Sequence, residues 1–134
     1  SRRRMNAVTV VIVEDNRQWL SRLSADVAGV PGLCLAGTAD TPEVAMRMAR
    51  EVRPHIMILD LFLAGGGSGV DVLRFLREHH LDTRVIAVTG APTAELRAAC
   101  LELGARYFLD KAFDFDQIQP ALQILADEAA RSAP

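Results

Sequence analysis

The stretch His55-Ile56-Met57-Ile58-Leu59-Asp60-Leu61-Phe62-Leu63 decides the fold. From Ile56 to Leu61 every residue is apolar except Asp60. A short, unbroken apolar run reads as a strand buried on both faces, the habit of a parallel sheet flanked by helices. A carboxylate inside such a strand is penalised by desolvation. At the carboxyl end of the strand it has a use, because open α/β sheets place their sites there. The tract Ala64-Gly65-Gly66-Gly67-Ser68-Gly69 that follows is no regular element and leaves Asp60 facing a loop. For Asp60 by itself, a strand-ending residue that caps its loop is the plainer explanation, so the rest of the chain has to decide.

The remaining elements alternate. Val8 to Val13 is a β-branched run that ends in Glu14-Asp15-Asn16. Trp19, Leu20, Leu23 and Val27 follow at helical spacing, and Gly29, Pro31 and Gly32 stop that helix. Leu33 to Ala36 reads as a second strand. Thr41-Pro42 starts a second helix, with Val44, Met48 and Val52 as its expected inner face. After the Asp60 strand and the glycine tract, Val70, Val72, Leu73 and Leu76 mark a third helix. Val85 to Val88 is a fourth strand ending in Thr89-Gly90, and Leu96, Ala99 and Leu103 stripe a fourth helix over residues 93–103. Arg106 to Leu109 is a short fifth strand leading to Asp110-Lys111. The last helix begins near Asp114, with Gln117 completing a capping box, but Pro120 breaks the pattern, so it either kinks there or starts late, near residue 119. Ile118, Leu122 and Leu125 face inward in either case. Strands alternating with helices through short connections imply a doubly wound α/β fold, three layers with a parallel sheet in the middle.

Composition bounds the function. At 134 residues the chain has the size of one domain, and its net charge of −2 gives no electrostatic reason to expect nucleic acid as a partner. No apolar run approaches the roughly 18 residues needed to span a bilayer. Cys34 and Cys100 are too few for a disulfide framework or a metal knuckle, so free thiols and a cytoplasmic location are expected. Ser1-Arg2-Arg3-Arg4 runs at once into strand-like sequence, which argues against a signal peptide. Residues 1–6 read as a native extension or an expression scar, residues 7–131 as the domain, and residues 132–134 as a tail. His55, His79 and His80 have no metal-ligand spacing and are expected in solvent. Trp19 is expected in the core or as a partly exposed docking residue on the first helix.

The strand ends carry a set: Glu14 and Asp15 after strand one, Asp60 on strand three, Thr89 on strand four, Lys111 after strand five. If these strands are neighbours, the side chains converge. Carboxylates crowded together repel unless a cation joins them, and an all-oxygen donor set with room for water suits Mg²⁺ better than zinc. Asp60 is then a candidate nucleophile toward phosphorus, with Lys111 as a second positive charge and Thr89 as a hydroxyl donor. Nothing supplies a separate general base or leaving-group site, which points to a phosphoryl group that is received and kept.

This set, in this order, resembles the receiver domain of two-component response regulators over about residues 7–130. The resemblance implies a flavodoxin-like (βα)5 fold with strand order 2-1-3-4-5. It implies that Asp60 takes a phosphoryl group from a phosphohistidine on a sensor histidine kinase or histidine phosphotransfer protein. It further implies Mg²⁺ held by Glu14, Asp15, Asp60 and the backbone carbonyl of Phe62, and a switch formed by Thr89 and Phe108. The start of the first helix would face the phosphodonor. A downstream protein would read the surface of helix four, strand five and helix five, with the chain a monomer or weak homodimer that contacts neither nucleic acid nor membrane directly. Three features depart from the family: Lys111-Ala112 where Lys-Pro is usual, leaving that bond cis or trans; a longer loop without its common proline after Asp60; and Phe at the switch position. The competing readings are a module that signals without phosphate, a flavodoxin-like cofactor binder, disfavoured by the acidic first loop, and a small aspartyl-phosphate hydrolase, disfavoured because no cap domain or substrate pocket is visible. The residues leave open whether the chain stands alone or belongs to a longer regulator.

Overall fold

The computed structural model describes residues 7–132, so the N-terminal extension and the last two tail residues lie outside the described part. The element order is β1 (Val8–Val13), α1 (Arg17–Ala28), β2 (Leu33–Ala39), α2 (Pro42–Glu51), β3 (Ile56–Asp60), α3 (Gly69–Glu78), β4 (Arg84–Thr89), α4 (Ala94–Glu102), β5 (Tyr107–Asp110) and α5 (Ile118–Ser132). The strands form one sheet in the order β2-β1-β3-β4-β5, and every pairing is parallel. The chain reverses its direction of travel between β1 and β3, so the crevice at their carboxyl ends is where a ligand site belongs.

Alternation along each strand builds two cores. Val10, Ile12, Ile58, Ile86 and Val88 face Leu23 and Val27 of α1 and Leu122 and Leu125 of α5. Val11, Val13, Met57, Leu59 and Ala87 face Ala45 and Ala49 of α2, Leu73 and Leu76 of α3, and Cys100 of α4. Each fully buried Ile, Leu or Met contributes about 1.5–3 kcal/mol relative to leaving it exposed, which anchors β3 before its terminal Asp60.

Several local expectations are corrected. The buried line of α2 is Pro42, Ala45 and Ala49; Val44 and Met48 flank it, and Val52 at the C-cap is exposed. Small residues let that helix lie close on the sheet. In α4 the one fully buried residue is Cys100, a turn on from Leu96, with Ala99 and Leu103 only partly covered. Strand β2 extends three residues further than expected, to Ala39, with a register shift against β1 between Val10 and Val11. Of the two readings of Pro120, the late start holds and the kink does not: a short 3-10 turn over Phe115–Gln117 precedes a helix that begins at Ile118, so the proline falls in its first turn, where a missing N–H costs little. No capping box forms at Asp114. Its Oδ2 accepts from the Asp110 N–H at 2.9 Å and its Oδ1 from Gln117 Nε2 at 3.1 Å. Helix α5 also runs through Ser132, one residue into the stretch assigned to the tail.

His55 is half-buried and paired, where a free solvent-facing ring was expected. Its Nδ1 accepts the Thr9 backbone N–H at 2.9 Å and lies 2.9 Å from the Thr9 hydroxyl, which in turn accepts the His55 N–H at 3.2 Å. This tie closes the amino-terminal ends of β1 and β3.

Candidate phosphoacceptor site

The loop behind Asp60 is shaped by close packing. The backbone N–H groups of Leu63 and Gly69 donate to the carbonyls of Gly67 and Leu61, both at 3.0 Å, so the glycine tract folds back on itself. Gly65 and Gly66 adopt φ of 77° and 79°, the left-handed region that glycine enters without cost. Gly69 opens α3 directly against β3. A Cβ there would lie 2.5 Å from the Asp60 carbonyl oxygen and 2.9 Å from Leu61 Cα. The tract is therefore a tight closure that seats α3 beneath Asp60.

Asp60 and Glu14 are both buried, and their ligand atoms lie with one from Asp15 within 4.8 Å of one another. Asp60 Oδ1 accepts the Phe62 N–H at 3.2 Å, and Glu14 Oε2 accepts the Asn16 N–H at 3.0 Å. The other oxygen of each turns to Lys111, whose Nζ donates to Glu14 Oε1 at 2.6 Å and to Asp60 Oδ2 at 3.2 Å. Asp15 is exposed at the mouth. Burial pushes the Glu14 carboxyl above its usual range, the Lys111 hydrogen bond pulls it back in part, and the Asp60 charge raises it again. One ammonium shared by two buried carboxylates, with a third beside them, is a donor set short of positive charge and composed entirely of oxygen, which fits Mg²⁺.

The Lys111–Ala112 bond is settled, since no cis peptide bond occurs among the described residues. Lys111 reaches both carboxylates without one. Its loop is fixed by the Lys111 N–H donating to the Thr89 carbonyl at 2.9 Å and the Ala112 N–H donating to Asp110 Oδ1 at 2.7 Å. Thr89 is fully buried, and its hydroxyl accepts the Ala91 N–H at 3.1 Å. The cleft is lined in that sector by Gly90 and Ala91, with Glu14, Asp15, Trp19, Asp60 and Phe62 around the remainder. Phe108 is buried in the core shared by α2, α3 and α4 and edges a separate groove beside Arg97. Its side chain already points inward. The Phe62 side chain is 57% exposed and that of Phe113 84% exposed, so two aromatic rings stand in solvent on the loops after Asp60 and Lys111.

One compositional signal and one residue lay outside the strand-end set. Lys111 is the chain's only lysine among its fifteen Lys and Arg residues, a signal present in the composition. Trp19 lines the cleft, and no local pattern could have placed it there.

The chain is similar to known proteins in sequence and in fold. The family model of the response regulator receiver domain matches residues 10–123. The transcriptional regulatory protein CitB of Klebsiella pneumoniae is 30% identical over 122 residues, covering 91% of this chain and 52% of CitB. The response regulator GacA of Pseudomonas protegens is 26% identical over 118 residues, covering 88% of this chain and 55% of GacA. The chain thus spans about half the length of the curated relatives it matches. Among solved structures, the response regulator domain of Thermotoga maritima CheB superposes with a TM-score of 0.78 at 23% identity, covering 96% of this chain and 99% of that one. The isolated REC domain of RcsB from Salmonella enterica serovar Typhimurium, determined in the presence of the phosphomimetic BeF3−, gives 0.81 at 18% identity, covering 90% and 89%. At these identities the structural likeness speaks for the fold alone. The sequence match runs from β1 into α5 and spans every strand end that carries a polar side chain of the cleft, and on it the chain belongs to the response regulator receiver domains of two-component systems.

Proposed function

We propose that Asp60 is a phosphoacceptor. Asp60 Oδ attacks the phosphorus of a phosphohistidine carried by a sensor histidine kinase or histidine phosphotransfer protein. The O–P bond forms as the P–N bond breaks, the electron pair stays on that ring nitrogen, and the donor ring, already protonated on its other nitrogen, leaves as neutral imidazole. Glu14, Asp15, Asp60 and the Phe62 carbonyl would hold Mg²⁺, which supplies charge neutralisation for the phosphoryl oxygens. The observation that carries this reading is the sharing of Lys111 Nζ between Glu14 at 2.6 Å and Asp60 at 3.2 Å beside an exposed third carboxylate. Such a cluster attracts a divalent cation and keeps a second cation ready for an incoming dianion.

The chain's own residues then divide the work. Lys111 balances the new charge on Asp60. Thr89 gives up the Ala91 N–H and turns its hydroxyl toward the phosphoryl oxygens, and Phe108 repacks against the space this leaves. The resulting shift reaches the face formed by α4, β5 and α5, where a downstream protein would read it. A difference of about 1–3 kcal/mol between the two packings is enough, a roughly 5–150-fold change in partner affinity. The exposed start of α1 and the Phe113 loop flank the cleft and are where the phosphodonor would dock. The protein would act as a monomer or weak homodimer.

Fluorine NMR with beryllofluoride tests the reading. Bound-fluoride resonances should appear only with Mg²⁺ and should be absent in Asp60→Asn. Their absence in the wild type would favour a receiver-like module that signals without phosphate.

A further inference from the structure

The chain has one tryptophan and one lysine, and the fold brings them together across the cleft although 92 positions separate them. Lys111 Nζ lies 5.0 Å from the centroid of the Trp19 ring. That ring is held from several sides. It packs against Phe115 at 5.4 Å between centroids, tilted by 51°. The Arg22 guanidinium covers both rings, 4.8 Å from Trp19 and 3.9 Å from Phe115. The Trp19 backbone N–H donates to Asn16 Oδ1 at 3.0 Å, which fixes the first turn of α1.

We propose that Trp19 is a positioning residue for Lys111: its ring keeps the ammonium against the cleft wall beside Asp60 while the carboxylates exchange partners. This rests on the role of Lys111 given above. The oxygens that now hold Nζ, Glu14 Oε1 and Asp60 Oδ2, belong to carboxylates that would also hold the metal, and Asp60 would carry the phosphoryl group. Once they do, a flexible four-carbon side chain loses its anchors. The backbone after Lys111 is fixed by hydrogen bonds of Asp110, but these act on the loop and leave the side chain free to rotate. An aromatic ring attracts an ammonium through its quadrupole and offers no oxygen that a metal would take. It is therefore a partner that does not compete with the metal.

The single lysine makes the contact directly measurable. In protein carrying ¹³C-labelled lysine, free of Mg²⁺ and phosphate, the one ε-methylene signal should lie upfield of free lysine because of the indole ring current. Trp19→Leu, which keeps an apolar side chain there, should return it to the free-lysine position. A wild-type signal already at that position would overturn the contact. In labelling by acetyl phosphate across a Mg²⁺ titration, Trp19→Leu should lower the maximal rate roughly two- to tenfold and leave half-saturating Mg²⁺ unchanged. Trp19→Phe should recover part of the rate. Equal maximal rates for wild type and Trp19→Leu, or a change in Mg²⁺ dependence in place of the rate, would refute the positioning. No labelling of the wild type would refute the phosphoacceptor reading, which the lysine signal does not touch.

Discussion

The two ends of the sheet treat polar groups in opposite ways. At the amino-terminal end, Thr9 and His55 satisfy each other through three contacts. Nearby, Glu128 is held by Arg106 at 2.7 and 2.9 Å and by Arg84 at 3.4 Å, while Arg84 also donates to Ser132. There the carboxylate has more positive charge than it needs, and its carboxyl is pushed below the usual range, chiefly by the Arg106 hydrogen bond. At the carboxyl-terminal end, Glu14 and Asp60 share one ammonium, and burial drives Glu14 the other way. A polar network with its charge matched works as a clasp. One left short of positive charge is ready for a ligand.

Removing the shared cation should break this contrast most sharply. In Lys111→Met the carboxylates lose their one ammonium, and labelling of Asp60 at saturating Mg²⁺ should slow by about 10²-fold, the scale of losing one charge-stabilising donor. Stopped-flow or quench kinetics with acetyl phosphate would check it, and an unchanged rate would make Lys111 a bystander. Gly69→Ala comes next. Its Cβ would press on the Asp60 carbonyl and Leu61 Cα, so the variant should be less stable by about 1–3 kcal/mol in urea unfolding and should also label more slowly as β3 is displaced. Wild-type stability would mean that the seat of α3 yields without cost.

A pair of smaller effects has opposite signs at the two ends. Glu14 is raised, so between the ordinary carboxylate pKa and its raised folded value the native state binds more protons than the unfolded chain, and stability falls as pH rises through that window. Glu14→Gln should therefore melt slightly above wild type at pH 7 while losing Mg²⁺ affinity, and the gain should vanish in acid. Glu128 is lowered, so its contribution is present above the ordinary carboxylate pKa and is lost as pH falls through the folded value. Glu128→Gln should melt slightly below wild type at pH 7, converge with it in acid, and label normally. Thermal melts across pH would show the two differences with opposite sign; the same sign would remove the contrast between clasp and site.

Much of this was legible because it is local. The apolar runs of β1, β3 and β4 and the polar residue at each strand end are written in consecutive positions, and parallel order alone brings Glu14, Asp60 and Lys111 together. What the sequence hid depends on packing between distant segments. His55 finds Thr9 across 46 positions, and Trp19 finds Lys111 across the whole fold; neither has a spacing to betray it. The face of α2 departs from its apolar pattern for another reason: hydrophobic size picks out Val44, Met48 and Val52, whereas close approach to the sheet selects Ala45 and Ala49. Helix α4 carries too weak an apolar stripe for its buried side to be read with accuracy, and Cys100 took the place expected for Ala99.

The most direct measurement is intact-mass analysis with peptide mapping after incubation with acetyl phosphate and Mg²⁺, on wild type and Asp60→Asn in parallel. One phosphoryl group is expected on the peptide containing Asp60, dependent on Mg²⁺ and missing from the variant. Labelling that persists in Asp60→Asn, or that maps to another residue, would contradict it.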